Sequence, residues 1–236
     1  MQEILFTTGT TKGVPKPVHY NSEDWEDMVQ CAGDMVKIYG GEKGTIYNCY
    51  PHSSNLGFWI THEYARLTDS LCIEVGMAEP EKIVNFFKSF PPMYISGLGL
   101  HLLPVMRLAN KELKDGQLNN LKHFILGKSI LPYREELEKI IPKECKIHAI
   151  YGTTELKKAW TTCDNLDSGY HVFDKGFEVS EEGELVYRGI RTSDTGEVID
   201  GECPFCKKVC LRISLKVERM PENKTAVNSC GVGFDD

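Results

Sequence analysis

The chain has 236 residues, 41% of them hydrophobic, nine cysteines and a formal net charge of −7. That length suits one large domain or two small ones, and that apolar share supports a core without disulfide staples. The negative charge argues against nucleic acid or an anionic membrane as the main partner; with no bilayer-long apolar run and no signal-peptide pattern, a cytoplasmic, reduced protein is expected, its clustered cysteines suspected of metal binding.

Ile4-Leu5-Phe6 is a short apolar run ending in a polar loop and reads as a strand. Asn21 or Ser22 caps a helix whose apolar positions Trp25, Met28, Val29, Ala32, Met35, Val36 and Tyr39 share one face, and Gly40-Gly41 stops it. Ile46–Tyr50 and Leu71–Val75 read as strands, and Glu79-Pro80 opens a helix through Phe87. Met93–Ser96 and His123–Leu126 are further strands, with a helix over about 99–110 between them. A helix follows Pro132, and Ile147–Ile150 is the last strand of the series. This alternation predicts an α/β fold, a parallel sheet covered by helices, with ligand sites at the carboxyl ends of the strands. Beyond residue 156 the helical spacing fades and short alternating runs such as Glu184-Leu185-Val186-Tyr187 predict a small β-rich C-terminal lobe. The expected division is a core over 1–156, a lobe over 157–220 and a tail over 221–236.

Two segments carry chemistry. Thr7-Thr8-Gly9-Thr10-Thr11-Lys12-Gly13-Val14-Pro15-Lys16 follows the first strand. Its glycines let backbone N–H groups approach phosphate oxygens, its threonines add donors, and Lys12 and Lys16 neutralise charge. It lacks the Walker spacing. The plain alternative is a Thr-rich polar turn. Tyr151-Gly152-Thr153-Thr154-Glu155 follows the last strand of the series. Tyr151 can stack on a purine, and Glu155 can hold Mg²⁺ beside phosphates. Here the alternative is an ordinary turn after a strand.

Together the two segments resemble the adenylate-forming superfamily of acyl-CoA synthetases, luciferases and peptide-synthetase adenylation domains. That family's phosphate loop reads Ser/Thr-Ser/Thr-Gly-Thr-Thr-Gly-x-Pro-Lys, and its nucleotide segment reads Tyr-Gly-x-Thr/Ser-Glu. This chain has one extra residue before Pro15-Lys16 and Lys12 where glycine is usual. Tyr50-Pro51-His52 with Gly57 resembles the family's Pro-x-x-His-x-x-Gly segment. Gly127-Lys128-Ser129 stands at its adenine loop, Gly183-Glu184-Leu185-Val186 at its Gly-Glu-Leu strand, and Arg191-Thr192-Ser193-Asp194 at its Arg-Thr-Gly-Asp segment. The stretch between Val186 and Asp194 is shorter than usual. The likeness spans roughly residues 3–217 and is greatest to phenylacetate–CoA ligases, in which a cysteine, a Gly-Leu-His and a Cys-Pro turn recur. Here those are Cys163, Gly169-Tyr170-His171 and Cys203-Pro204-Phe205-Cys206.

The resemblance implies ATP and Mg²⁺ as cofactors, with CoA or a carrier protein as acyl acceptor and a small carboxylic acid as substrate. It implies Thr10, Lys16 and Glu155 as catalytic residues. Thr7, Thr8, Gly9, Thr10, Thr11 and Lys12 would hold the phosphates, with Thr153 and Thr154 beside them. Gly127, Lys128, Ser129, Tyr151 and Gly152 would frame the adenine, and Asp194 the ribose. His52, Gly57, Phe58, Ser96 and Gly97 would line the acid pocket. No acid stands beside His52 in the sequence to pair an α-amine, which tilts the expected substrate to a plain acyl or aryl acid. Full-length relatives carry a preceding subdomain and a mobile C-terminal domain with a catalytic lysine. Neither fits within this chain, so slow adenylation and a doubtful thioester step are expected. The flanks so exposed favour self-association.

Cys203-x-x-Cys206 is the usual half of a tetrahedral zinc site. Cys163 and His171 can complete a Cys₃His set that pins the lobe, with Cys210 the competitor of His171. Incidental thiols are the plain alternative. A non-catalytic nucleotide- or acyl-binding subunit and a zinc-stabilised interaction protein are the competing functional readings.

Overall fold

The computed structural model describes residues 3–6, 16–52, 55–114, 116–127, 131–174 and 176–215. Strands β1 (Glu3–Phe6) and β2 (Pro17–Tyr20) form an antiparallel hairpin of their own, pairing Glu3 with Tyr20 and Phe6 with Pro17. Helix α1 (Ser22–Tyr39) begins at Asn21, whose side chain accepts from the Asp24 N–H while Asp24 accepts from the Asn21 N–H. This reciprocal box satisfies two orphan donors of the first turn. Gly40, at φ 95°, ends the helix in the left-handed region that glycine adopts without strain.

The central series is β3 (Thr45–Cys49), α2 (Leu56–Leu67), β4 (Leu71–Glu74), α3 (Pro80–Ser89), β5 (Tyr94–Gly97), α4 (Gly99–Glu112), β6 (His123–Gly127), α5 (Leu131–Ile140) and β7 (Lys146–Thr153). The strands lie parallel in the order β4-β3-β5-β6-β7. Alternate residues of each strand face opposite layers. Tyr47, Cys49, Ile95, Phe124, Leu126, Ile147 and Ala149 pack with α3, α4 and α5. Ile46, Tyr94, Ile125 and Ile150 pack with α1 and α2. Burial on both faces explains why β5 and β6 are closed to solvent along their length.

The predicted parallel sheet covered by helices is present, with two differences. The first apolar run pairs with β2 rather than joining the parallel sheet. Helix α2 was not anticipated, because its buried residues Leu56, Phe58, Ile60, Thr61, Tyr64 and Ala65 wrap too much of the helix to leave a clean periodic stripe.

From β7 the ladder turns antiparallel through β8 (Lys158–Thr161), β9 (Tyr170–Val172), β10 (Phe177–Val179), β11 (Glu184–Tyr187), β12 (Ile190–Ile199) and β13 (Leu211–Leu215). Their order outward from β7 is β8-β9-β13-β12-β11-β10, so one 11-stranded sheet runs through the molecule. The 156/157 boundary drawn from the sequence falls in the β7–β8 turn, across which the ladder continues. The expected tail over 221–236 lies outside the described residues. A third core of Tyr151, Leu156, Trp160, Val172, Phe177, Leu185, Tyr187 and Ile213 fills this part. No helix among the described residues is long and apolar enough to cross a membrane.

Two histidines sit inside the parallel sheet. His148 donates from Nδ1 to the Cys163 carbonyl at 3.2 Å, so its Nε2 accepts from His123 Nδ1 at 2.8 Å. Tyr94 stacks on His123 at a 4.9 Å centroid separation, and Tyr39 lies over His148 at 4.1 Å. Burial first, then neighbouring positive charge, holds the His123 imidazolium pKa down to about 4 and that of His148 down to about 3. Both rings are neutral in the folded protein where the unfolded chain would take up protons near pH 6.5. Stability is therefore complete above that value and falls as pH drops toward 4. Urea unfolding between pH 7 and pH 4.5 should show a loss of about 2 kcal/mol or more from this pair. A midpoint independent of pH over that window would contradict the arrangement.

Candidate active site and metal centre

The carboxyl ends of β3, β5, β6 and β7 share one edge of the parallel sheet, and two hairpins rise beside it. The first is β1–β2, whose connection holds Thr7, Thr8, Gly9, Thr10, Thr11 and Lys12, all outside the described residues. Lys16 is exposed immediately before β2. The second is β7–β8, in which Tyr151 pairs with Trp160 and Thr153 with Lys158. The turn between them, Thr154 to Lys157, places Lys157 at φ 57°.

These hairpins are tied together. Tyr20, 1% exposed at the end of β2, donates its hydroxyl to the Thr154 carbonyl at 2.9 Å across 134 residues of sequence. Lys157 reaches the Asp24 carboxylate at 2.7 Å and lies over the Tyr20 ring. Burial raises the Tyr20 phenol pKa, and the nearby Asp24 and Glu155 carboxylates add to it. Glu155 itself is exposed at the tip of the turn. The β1–β2 hairpin and the Tyr151–Glu155 segment are therefore neighbours.

Tyr151 is fully buried, its ring between Trp160 and Tyr170, and it offers only its hydroxyl, which donates to Asp194 Oδ2 at 2.9 Å. Asp194 lies in β12 and is half-buried. Gly152 answers to packing: a Cβ there would stand 2.5 Å from the Lys158 carbonyl oxygen and 2.6 Å from the Ala159 Cβ. Thr153 caps the turn by accepting from the Leu156 N–H. Gly127 ends β6 with Leu98 and Tyr50 above it. Lys128 and Ser129 lie outside the described residues.

Among the residues expected to line an acid pocket, Gly57 sits in the first turn of α2 against the Tyr50 ring. Phe58 is buried in the core between sheet and α1–α2, and its carbonyl accepts from Asn48 Nδ2 at 2.9 Å. Ser96 is buried and hydrogen-bonded to Thr61 at 3.0 Å, and Gly97 packs closely on Cys49. His52 is exposed over the Phe58 ring. Glu74, at the carboxyl end of β4, comes within 3.9 Å of His52 and bonds His62 Nδ1 at 2.5 Å. Parallel pairing of β3 with β4 sets Glu74 beside Asn48 and so near His52, which linear sequence does not reveal. An acid, Glu74, thus does stand beside His52, contrary to the expectation from sequence. Tyr20, Asp24 and Lys157 were likewise missed, since none belongs to a motif.

The second constellation lies where β8, β9 and the β12–β13 loop meet. Cys163 follows β8, His171 lies in β9, and Cys203 and Cys206 lie in a turn closed by the Glu202–Val209 bridge. Their ligand atoms all fall within 4.8 Å of one another, and Cys206 Sγ is 3.2 Å from His171 Nε2. His171 donates from Nδ1 to the Gly169 carbonyl at 3.2 Å, which leaves Nε2 as the donor to a metal. Burial pushes the Cys203 thiol up, but N–H groups of Cys206 and Phe205 and the thiols of Cys206 and Cys163 outweigh it, leaving its pKa below the ordinary value. Burial and the Cys203 sulfur push Cys206 up to about 11. Cys210, the anticipated competitor, is buried with its thiol toward the Lys208 carbonyl and is not in the four-residue group. Three sulfurs and one imidazole in a closed, mostly buried set suit a tetrahedral structural ion.

No protein-family model matches the chain, and no curated protein is detectably similar in sequence. Solved structures do match. A 2-hydroxyisobutyryl-CoA ligase with 2-HIB-AMP and CoA superposes over 89% of this chain and 50% of its own, with TM-score 0.71 and 15% identity. A long-chain-fatty-acid-CoA ligase from Archaeoglobus fulgidus matches over 91% of this chain and 51% of its own, with TM-score 0.57 and 14% identity. An o-succinylbenzoate CoA synthetase from Bacillus subtilis, bound with a product analogue, gives 89%, 48%, 0.61 and 14%. The chain spans about half the length of the solved structures it matches. It has the fold of the adenylate-forming acyl-CoA ligases.

The close approach at Gly152 yields a test independent of any ligand. Gly152→Ala should lower unfolding stability by about 1–3 kcal/mol without nucleotide, because β7 and β8 must separate. An unchanged chemical unfolding midpoint would contradict a packing role for this glycine.

Proposed function

We propose that the chain is the nucleotide- and acid-binding core of an ATP-dependent carboxylate-adenylating enzyme, with a structural zinc in its antiparallel part. The observation that carries the reading is the pair of bonds Tyr20–Thr154 and Tyr151–Asp194, which draws widely separated segments to the carboxyl edge of one parallel sheet. Ligands of such sheets bind there. The likeness in fold to acid–CoA ligases supports the same chemistry.

In this reading a carboxylate oxygen attacks the α-phosphorus of ATP, and the bond to the bridging oxygen breaks to release pyrophosphate. The protein's part is positioning and charge neutralisation. Thr7 to Thr11, with Lys12 and Lys16, hold the β- and γ-phosphates. Thr153 and Thr154 present their hydroxyls beside them. Glu155, exposed on its turn, would hold Mg²⁺, which supplies charge neutralisation at the phosphates. Asp194, oriented by the Tyr151 hydroxyl, accepts from the ribose hydroxyls. Gly127, Lys128, Ser129 and Gly152 frame the adenine edge. The acid lies across the ends of β3 and β5, near His52, Gly57, Phe58, Ser96 and Gly97. The acyl group then passes to CoA or a carrier thiol. Cys163, His171, Cys203 and Cys206 would hold zinc, which fastens β8, β9 and the β12–β13 loop to one another.

ATP–pyrophosphate exchange across a panel of small carboxylic acids should show turnover dependent on one class of acid. Asp194→Ala should weaken ATP binding roughly 10- to 100-fold, the worth of hydrogen bonds to a charged acceptor. ATP binding with no exchange for any acid would favour a non-catalytic nucleotide-binding subunit; unaltered binding in Asp194→Ala would overturn the site.

The metal is tested separately. Purified protein should carry about one zinc per chain by elemental analysis, Cys203→Ser should lose it, and chelation should lower the melting temperature. Absence of stoichiometric metal from protein made in zinc-supplemented medium would refute the centre.

A further inference from the structure

Arg212 lies in β13, half-buried, in register between His171 of β9 and Ile199 of β12. Residues opposed in an antiparallel pair share one face of the sheet. The arginine side chain therefore stands beside that of His171, whose Nε2 is 3.2 Å from Cys206 Sγ. The two strands also approach closely here. A Cβ on Gly169 would stand 2.8 Å from the Ile213 carbonyl oxygen and 3.6 Å from the Arg212 Cβ. Gly169, at φ 78°, leaves that space free and lets β9 start against Arg212.

The guanidinium has no carboxylate beside it. Its Nε is buried without a hydrogen-bond partner, and among the described residues Arg212 makes no ion pair or ring contact. Strand register gives it an imidazole on one side and an isoleucine on the other. Other part-buried cations of this chain do meet acids: Lys157 meets Asp24, and Lys158 meets Asp27 and Asp174. Burying a cation without a partner is costly. The charged groups that act on the His171 ring are Arg212 and Lys208, both positive in a chain of net charge −7. Arg212 also acts on the Cys210 thiol, which in turn feels Cys203 and Cys163.

The four-residue set can supply the missing negative charge. Three thiolates, one neutral imidazole and a divalent ion sum to a single negative charge. We propose that Arg212 is the counter-cation of the metal-loaded Cys163–His171–Cys203–Cys206 centre, a residue outside the ligand set that strengthens retention of the ion. This rests on the zinc reading above. The attraction exists only when the thiolates are gathered around an ion. In metal-free protein the same arginine is a half-buried charge with nothing to offset it, so its contribution there is neutral or unfavourable.

The test measures zinc affinity by competition with a chromophoric chelator in wild type, Arg212→Met and Arg212→Lys. Arg212→Met should weaken zinc binding roughly 10- to 100-fold, the usual effect of removing a partner just outside a ligand set. Arg212→Lys keeps the charge and should restore part of that loss. Equal zinc affinity in wild type and Arg212→Met would overturn the role of Arg212 and leave the metal centre standing. A wild-type protein that binds no zinc would sink the centre, and this inference with it. Thermal melting in the Cys203→Ser background, which lacks a ligand, separates a purely structural role. There Arg212→Met should leave the melting temperature unchanged or raised, and a drop of several degrees would show that the arginine serves the fold rather than the ion.

Discussion

A buried ammonium ties helix α1 to the antiparallel part of the sheet. Lys158 begins β8 directly after the hairpin turn and its side chain is 5% exposed. Its Nζ lies 2.9 Å from Asp27 on α1 and 3.2 Å from Asp174 in the antiparallel part, with the Tyr187 ring below. Burial opposes its charge, but the Asp27 carboxylate, the Tyr187 hydroxyl and Asp174 outweigh that and hold its pKa above the ordinary lysine value. Asp174 is itself held by the Tyr187 hydroxyl at 2.9 Å and by the Gly176 N–H. Breaking a pair of this kind strands a buried charge, a loss of several kcal/mol. The β7–β8 turn is thereby fixed to α1 on one side and to β9–β11 on the other. Tyr20, Thr154 and Glu155 take their positions from that anchoring.

The candidate site and the metal centre hang on the same frame. Cys163 follows the strand that Lys158 begins, and His171 lies on the strand next to it. Tyr170, beside His171, packs against Tyr151, whose hydroxyl orients Asp194. The cysteine turn is therefore linked to the proposed ribose contact through His171, Tyr170 and Tyr151. An ion there would stiffen β8, β9 and the β12–β13 loop, on which Tyr151 and Asp194 rely.

Much of the parallel half could be read from sequence because its signals are local. A cap at Asn21 or Ser22, the Gly40-Gly41 stop, and the run of short apolar strands between helices each depend on a few neighbouring residues. The strand ends followed, and with them the loops where ligands collect. What escaped was non-local. Tyr20 meets Thr154 over 134 positions, and Glu74 reaches His52 only through strand pairing. The insertion of β9 between β8 and β13 likewise has no signature in either strand. Spacing identified Tyr151, yet it could not tell that Trp160 and Tyr170 enclose the ring and leave only the hydroxyl to act. The cysteine set was legible since Cys-x-x-Cys is local and few other partners were at hand; its closure by His171 rather than Cys210 needed the fold.

The central claim is that distant segments form one nucleotide site. Hydrogen–deuterium exchange with and without ATP and Mg²⁺ tests it most directly, since each segment is read separately. The account predicts that nucleotide slows exchange together in residues 3–20, 150–157 and 190–196, while α3 and α4 are unaffected. Protection confined to one of the three segments, or absent from all, would contradict a composite site.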